Sequence, residues 1–156
     1  MQLVGEWSSY DETICSVDPS GRGTDETAAA FLSQRNGLIY LHEMSAYRDG
    51  YSDSTLLDIL RRCRTYGVTS LVIETNFGDG IVGELFKKHL INTKQHINIE
   101  EVRANVRKED RIIDSLEPVL NQHRLIIDRG VIDWDYASNK DSPAEERLLY
   151  MLFYQM

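Results

Sequence analysis

The sequence has few cysteines and no long hydrophobic run, and each absence narrows the class of protein. Cys15 and Cys63 form no CxxC pair and lack the dense spacing of a disulfide framework, so we expect both to be reduced core residues. No window is apolar enough to cross a membrane, and the N-terminal MQLVGEWSSYDE has neither the basic flank nor the apolar run of a signal peptide. We therefore expect a soluble, intracellular chain with a single core.

Motifs of several common nucleotide and metal sites are also missing. The glycines of GRGTDET (21–27) lack the spacing and the Lys-Ser/Thr pair of a Walker phosphate-binding loop. A calcium loop that began at Asp18 would place Arg22 and Ala29 where ligands are needed. The four histidines show neither an HExxH motif nor paired spacing. These observations argue against a Walker site, an EF-hand and an HExxH zinc site.

Basic charge is scarce, because 17 Lys and Arg face 25 Asp and Glu and give a formal net charge of -8. This balance excludes a generally basic nucleic-acid coat, but it leaves local DNA contact open because the position of charges matters more than their sum. One stretch, EEVRANVRKEDRIID (100–114), carries four basic residues: Arg103, Arg107, Lys108 and Arg111. They form either a small cationic lip that holds phosphates or a solvated face whose charge is offset by neighbouring acids.

Hydrophobic patterning predicts an α/β protein. Strands are expected at 12–18, 27–34 and 38–47, and Asn36 and Gly37 suit the positive φ of a tight hairpin turn. Helices at 52–67, 79–90 and 108–123 then alternate with apolar strands at 68–75 and 97–104, and RLIID (124–128) is a candidate for a short last strand. The order predicts a mixed five-stranded sheet flanked by helices, with three antiparallel strands followed by alternating helices and parallel strands.

The expected helices carry their own start, stop and core signals. Ser52, Asp53 or Ser54 should cap the first helix, and Gly67 should end it. Pro118 should kink or restart the third helix. The residues expected to point inward from the first two helices are Leu56, Leu57, Leu60, Cys63, Ile81, Leu85 and Phe86.

Two carboxylates end two of the expected strands, Asp18 and Glu74. If these strands are parallel neighbours, the two side chains lie about 5 Å apart at the carboxyl edge of the sheet, where Mg²⁺ or Mn²⁺ would suit them. The alternatives are a turn-forming role for Asp18 and an ion pair for Glu74. Asp25 is either an accessory ligand that folds back toward Asp18 or a cap for the following segment.

Three stretches in order, DPSGRGTDET (18–27), ETNFGDG (74–80) and RIIDSLEPV (111–119), resemble one family. The family is the C-terminal nuclease domain of the large terminase subunit, the DNA-packaging motor of tailed bacteriophages, most closely the short-tailed coliphage-like type. The resemblance covers most of the chain from about residue 12. It implies a ribonuclease H-like fold and an endonuclease that cuts double-stranded concatemeric viral DNA with two divalent metals, Mg²⁺ or Mn²⁺, in the host cytoplasm.

The resemblance also implies roles for particular residues and partners. Asp18 and Glu74 would be catalytic metal ligands and Asp25 an accessory acid, while Lys108 and Arg111 match basic positions ahead of a long helix. An ATPase domain, the portal and the small terminase subunit would be the protein partners. The chain would be one nuclease domain over 1–156, with 1–11 as a linker remnant. The family's third catalytic acid, expected beyond LFYQM, and its Walker motifs are not in these residues, so cleavage should be weak if that acid is truly absent.

Two rival function classes also accommodate a strand-end aspartate. An actin-like or sugar-kinase half-domain predicts a second Asp-Gly turn in a duplicated half, for which 156 residues are too few. A non-catalytic ribonuclease H-like module that binds DNA or protein would keep Asp18 and Glu74 as structural residues. A cleavage assay separates this last class from the nuclease.

Overall fold

The computed structural model describes residues 9–20, 26–75, 80–103, 108–141, 143 and 151. The described part contains six strands and four helices. In chain order they are β1 (Glu12–Asp18), β2 (Thr27–Arg35), β3 (Leu38–Tyr47), α1 (Asp53–Tyr66), β4 (Ser70–Glu74), α2 (Ile81–Thr93), β5 (Asn98–Val102), α3 (Lys108–Asn121), β6 (Leu125–Ile127) and α4 (Arg129–Ser138).

All six strands belong to one sheet, in the order β5-β4-β1-β2-β3-β6. β1, β2 and β3 are antiparallel neighbours, whereas β4 pairs with β1, β5 with β4, and β6 with β3 in parallel. The mixed α/β architecture is confirmed, but the expected count of five strands is wrong by one. The sixth strand is the RLIID candidate, which lies beside β3 at the sheet edge opposite β5. A three-residue apolar run is too short for periodicity to identify.

The predicted turn and cap signals are confirmed. Asn36 and Gly37 have φ values of 51° and 77°, so both central residues of the β2–β3 hairpin are left-handed, as a two-residue turn with the twist of the strands requires. The Ser52 side chain accepts a hydrogen bond from the backbone N–H of Thr55 at 3.4 Å and caps α1. Gly67 ends α1 with a φ of 67°.

The core lies between the sheet and the helices α1 and α2. Alternate residues of the central strands point into it, because successive side chains of a strand face opposite sides of the sheet. These strand residues are Cys15, Val17, Ala29, Phe31, Leu71 and Ile73, each at most 1% exposed. Cys15 and Cys63 are both buried and free, as the sequence predicts.

Two residues expected in the core are exposed, Leu57 at 42% and Ile81 at 54%. Leu57 is one residue, or about 100°, beyond Leu56 in the buried stripe of α1, and Ile59 takes its place in the core. Ile81 is the first residue of α2 and precedes a buried stripe that begins at Val82. In each helix the inward face was predicted to be one residue too wide.

The C-terminal helices differ from expectation in two ways. α3 is one continuous helix that contains Pro118, so of the expected kink or restart the helix does not restart there. Pro118 removes the donor for the carbonyl of Asp114, and water can replace that donor because Asp114 is exposed. α4 was not predicted, although Asp128 caps it by accepting a hydrogen bond from the Gly130 N–H at 2.7 Å. None of the helices in the described part is both long and apolar enough for a membrane span.

Candidate functional site

Asp18 and Glu74 meet at the carboxyl edge of the sheet. β1 and β4 are parallel neighbours, and their register pairs Val17 with Ile73. One residue further along each strand, Asp18 therefore stands beside Glu74, and adjacent strands are about 4.8 Å apart. Because Val17 and Ile73 both point into the core, the two carboxylates both point to the opposite face.

Small side chains lie beside this carboxylate pair. Asp18 pairs across β2 with Ala28, which in turn pairs with Ala46 on β3. On the other side, Glu74 pairs with Val102 of β5. Asp18 is exposed and Glu74 is half-buried. The pair is therefore open to solvent over a row of short side chains, where a ligand or phosphate group can approach.

The segment after Asp18 is held by contacts with two other segments. The Ser20 N–H donates to Thr27 Oγ1 at 2.9 Å, which ties the start of this segment to β2. Gly50, in the turn after β3, has a φ of 58°, and a Cβ atom there would lie 3.0 Å from the Ser20 carbonyl oxygen. Only glycine combines that left-handed conformation with so close an approach. The turn that contains Gly50 thus supports the chain that leaves Asp18.

The segment after Glu74 is bonded to the neighbouring strand β5. The Thr75 N–H donates to the Val102 carbonyl at 2.9 Å and extends the pairing beyond Glu74. Farther along, the Glu101 carboxylate lies over the first turn of α2, where a Cβ atom on Gly83 would clash with it. This contact was not predicted from the sequence, although a glycine inside a helical pattern signals a close approach.

Of the residues predicted to contact DNA, Arg103 lies at the same edge of the sheet as the carboxylate pair. Arg103 directly follows β5 and is exposed. Lys108 is the first residue of α3 and Arg111 lies in its first turn, but their side chains are outside the described part of the structure. Arg107 and the accessory acid Asp25 are also outside the described residues.

A second pair of carboxylates, on the core face, has a different character. Arg62 bridges Glu43 and Asp58, with Asp58 Oδ2 at 2.8 Å from its Nε. Tyr47 Oη donates to Asp58 at 2.7 Å, and Tyr66 Oη donates to Glu43 at 2.6 Å. Burial pushes the pKa of Asp58 upward, but hydrogen bonds from Arg61 and Tyr47, together with the positive charge of Arg61, lower it below its usual value. This pair joins α1 to β3 and is neutralised within the fold.

The donor chemistry of Asp18 and Glu74 fits a hard divalent cation, since carboxylate oxygens are the ligands that Mg²⁺ and Mn²⁺ prefer. Two carboxylates make an incomplete set. Across the described ranges, no group of three or more His, Cys, Asp or Glu side chains could hold a metal ion.

The sequence matches a family model described as the ribonuclease H-like domain of the bacteriophage T7 terminase, over residues 17–125. The chain is also 45% identical over 148 residues to the terminase large subunit of Enterobacteria phage T3. That alignment covers 94% of the chain but 25% of the relative, so the chain spans about a quarter of that protein's length.

Solved structures share the fold at low identity. The large terminase of the thermophilic bacteriophage D6E aligns with a TM-score of 0.56 and 13% identity, over 88% of this chain and 33% of that one. The human cytomegalovirus terminase nuclease domain, soaked with Mn and bound to an inhibitor, aligns with a TM-score of 0.55 and 11% identity, over 78% of this chain and 64% of that one. The family match extends over more than half of the chain, which therefore belongs to the T7-type terminase ribonuclease H-like domain family.

Proposed function

We propose that this domain is a metal-dependent endonuclease that cuts double-stranded concatemeric viral DNA during genome packaging. The observation that carries the proposal is the placement of Asp18 and Glu74 side by side on adjacent parallel strands, on the open face of the sheet. Membership of the terminase family supports a nuclease role in packaging. The manganese-soaked cytomegalovirus domain, which has the same fold, supports a divalent metal.

In this proposal Asp18 and Glu74 hold two ions, Mg²⁺ or Mn²⁺, and Asp25 assists them. When bound, the ions would activate a water for attack on the scissile phosphate and stabilise the leaving 3′-oxygen. The two carboxylates would fix the positions of the charges, and the sheet supports them because each follows a fully buried core residue. The short side chains of Ala28 and Ala46 would leave room for the DNA backbone beside Asp18.

The cationic lip would hold the DNA backbone. Arg103 leaves the sheet one residue beyond Val102, the strand partner of Glu74, and Lys108 and Arg111 begin the next helix. Arg107 belongs to the same lip by sequence. Such contacts would hold phosphates on either side of the scissile bond without reading the base sequence.

The wider setting is also part of the proposal. Residues 1–156 would act as one nuclease domain of a longer chain, with 1–11 joining it to an ATPase domain that drives DNA translocation. The portal and the small terminase subunit would be its partners, and packaging would take place in the host cytoplasm. A third acidic ligand would complete the set that Asp18 and Glu74 begin.

The test is plasmid cleavage with Mg²⁺ or Mn²⁺ by the full-length protein that contains this domain. We expect Asp18→Ala and Glu74→Ala each to lower the cleavage rate by about a thousand-fold or more, because each removes a charge that positions a metal. Glu12→Ala is the matched control, since Glu12 is an exposed carboxylate on the same face of β1 at its other end. It should cleave at the parent rate.

The non-catalytic alternative makes the opposite prediction. The metal-site proposal is wrong if the parent does not cleave with either metal. It is also wrong if Asp18→Ala or Glu74→Ala cleaves as fast as Glu12→Ala. Far-ultraviolet circular dichroism and thermal unfolding of each variant would show that the loss of activity is not a loss of fold.

A further inference from the structure

The carboxylate of Glu101, near the end of β5, lies against the N-terminal turn of α2. Gly80 is the N-cap of this helix and supplies no side chain to the first N–H groups. A Cβ atom on Gly80 would lie 3.6 Å from both carboxylate oxygens of Glu101, and a Cβ atom on Gly83 would overlap one of them. Glu101 therefore places its negative charge at the N-terminus of α2, where an anion is favourable.

Gly83 leaves the space that this carboxylate occupies. Glycine inside a helix is about 1 kcal/mol less favourable than alanine, so a glycine there indicates a close approach by another group. Gly83 is buried, and a Cβ atom on it would also lie 3.2 Å from Cδ of Glu101. The obstructing atoms belong to the end of a flexible side chain. Alanine at this position would therefore displace the carboxylate rather than the helix.

Lys87, one turn beyond Gly83, also responds to this carboxylate. The pKa of Lys87 is raised chiefly by the hydrogen bond and the charge of Glu84, and further by the charge of Glu101. The side chain of Glu101 is thus attracted both by the N-terminus of α2 and by a lysine in the next turn of the same helix. These attractions join β5 to the start of α2.

Both described ends of the segment between Glu74 and α2 meet the last residues of β5. The Thr75 N–H donates to the Val102 carbonyl at 2.9 Å, and Gly80 lies beside the Glu101 carboxylate. Glu101 and Val102 are adjacent in β5. The end of β5 therefore holds this segment at its first residue and again where it enters α2.

Glu101 lies on the wrong face of the sheet to be a ligand of the Asp18–Glu74 pair. It pairs with Ile73 of β4, so its side chain shares the face of Ile73, which points into the core. Asp18 and Glu74 point to the opposite face. Glu101 can therefore act on the site through the segment that it holds, and not by a contact with a bound ion.

We propose that Glu101 is a positioning residue for the metal site and that Gly83 admits its carboxylate. The carboxylate holds the first turn of α2, and this turn fixes the far end of the segment that follows Glu74. Glu74 is thereby kept in the orientation that a divalent cation requires. Only this last step rests on the proposed nuclease function, because the contact between Glu101 and α2 involves no metal.

Hydrogen exchange of the full-length protein without metal tests the contact itself. Glu101→Ala and Gly83→Ala should each speed exchange of the Thr75 amide about ten-fold, because both remove the carboxylate from the start of α2. Glu84→Ala is the matched control, since it removes an exposed carboxylate from the same turn of the helix. It should leave exchange at Thr75 unchanged. Gly83→Ala should not lower the thermal unfolding midpoint, because alanine favours a helix.

Plasmid cleavage over a series of Mn²⁺ concentrations tests the effect on the site. Glu101→Ala and Gly83→Ala should each need about ten-fold more Mn²⁺ for half-maximal cleavage, with a rate at saturating Mn²⁺ within about two-fold of the parent. The rise of the thermal unfolding midpoint with Mn²⁺ should move to higher concentration by the same factor. The double variant should match Glu101→Ala alone, because Gly83 matters only through the carboxylate.

Unchanged exchange at Thr75 in both single variants would overturn the proposal, and so would additive effects in the double variant. Faster exchange with an unaltered response to Mn²⁺ would also overturn it, because Glu101 would then stabilise α2 without positioning the site. An equal response in Glu84→Ala would do the same. A parent that neither cleaves nor is stabilised by Mn²⁺ would contradict the nuclease function, whereas the exchange rates would still decide whether Glu101 holds the segment.

Discussion

The two faces of the sheet use the same strands for different purposes. On one face, Val17 and Ile73 are at most 1% exposed and pack against α1 and α2. On the other, their immediate neighbours Asp18 and Glu74 stand at an open edge. The difference arises from the two-residue period of a strand, because a step of one residue moves a side chain from the core to the site.

The site carboxylates gain rigidity from the core without being buried in it. Each carboxylate is attached directly to a residue that the core holds in place, so its backbone cannot move without disturbing the packing. Glu43 and Asp58 differ in their setting, because they join β3 to α1 and are bound there by Arg62 and two tyrosines. Asp18 and Glu74 instead lie at the carboxyl edge of the sheet, on the face opposite the core.

Adjacent residues of β4 separate the roles of the two faces. Ile73→Ala should lower the free energy of unfolding by about 2–5 kcal/mol, because it leaves a cavity in a fully buried position. Glu74→Ala should lower it by less than about 1 kcal/mol and yet remove cleavage. Urea unfolding and the plasmid assay measure the two effects. A large stability loss in Glu74→Ala would mean that this carboxylate also has a structural role.

A second change tests whether the site depends on the contact between Gly50 and the segment after Asp18. Gly50→Ala places a Cβ atom 3.0 Å from the Ser20 carbonyl and also forces alanine into a φ of 58°. We expect a loss of about 1–2 kcal/mol in unfolding free energy and a clear fall in cleavage, because the segment after Asp18 must shift.

Gly37→Ala is the matched control for this change. Its φ is 77°, and a Cβ atom there would meet nothing within 4 Å. It should cost about 1 kcal/mol through the backbone alone and leave cleavage at the parent rate. Equal cleavage by the two variants would show that the contact between Gly50 and Ser20 does not support the site.

The smallest expected effect concerns the far end of the core face, where His42 donates to or accepts from Ser33 Oγ at 2.8 Å and stacks on Tyr66. Burial lowers the pKa of His42, and the nearby negative charge of Asp128 opposes this only in part. As the pH falls, the His42 imidazole is therefore protonated in the unfolded chain at about pH 6.5, a higher pH than in the folded chain. The contribution of neutral His42 to the free energy of unfolding should be fully present above that pH and should be lost as the pH decreases through it.

Replacing His42 by phenylalanine keeps a ring against Tyr66 and removes the titration. Urea midpoints measured on either side of about pH 6.5 should then differ less in His42→Phe than in the parent. An unchanged difference between the two pH values would assign the acid sensitivity to another group.

Much of the fold could be predicted from the sequence because its signals are local. The positive φ at Asn36 and Gly37, the Ser52 cap and the stop at Gly67 each depend on a few neighbouring residues, and all are confirmed. The errors have local causes too. β6 is three residues long, and the inward faces of α1 and α2 were predicted one residue too wide, at Leu57 and Ile81. α4 was missed although Asp128 supplied its cap.

The candidate site could be predicted only as a conditional statement. The sequence indicated that Asp18 and Glu74 end two strands. The expected proximity of the two carboxylates depended on the assumption that those strands are parallel neighbours. The pairing of β1 with β4 confirms that assumption. The metal and DNA roles of Asp18, Glu74, Asp25, Arg103, Arg107, Lys108 and Arg111 remain predictions.

The local sequence is enough to indicate which residues form strands, turns and helix ends, because those preferences act within a few residues of the chain. It also carried the family resemblance in the order of three short stretches. Which strands are neighbours follows from the tertiary structure, which places Asp18 beside Glu74 and brings Gly50 close to Ser20. These contacts join residues far apart in the chain, and their formation depends on the packing of the whole sheet rather than on any local preference.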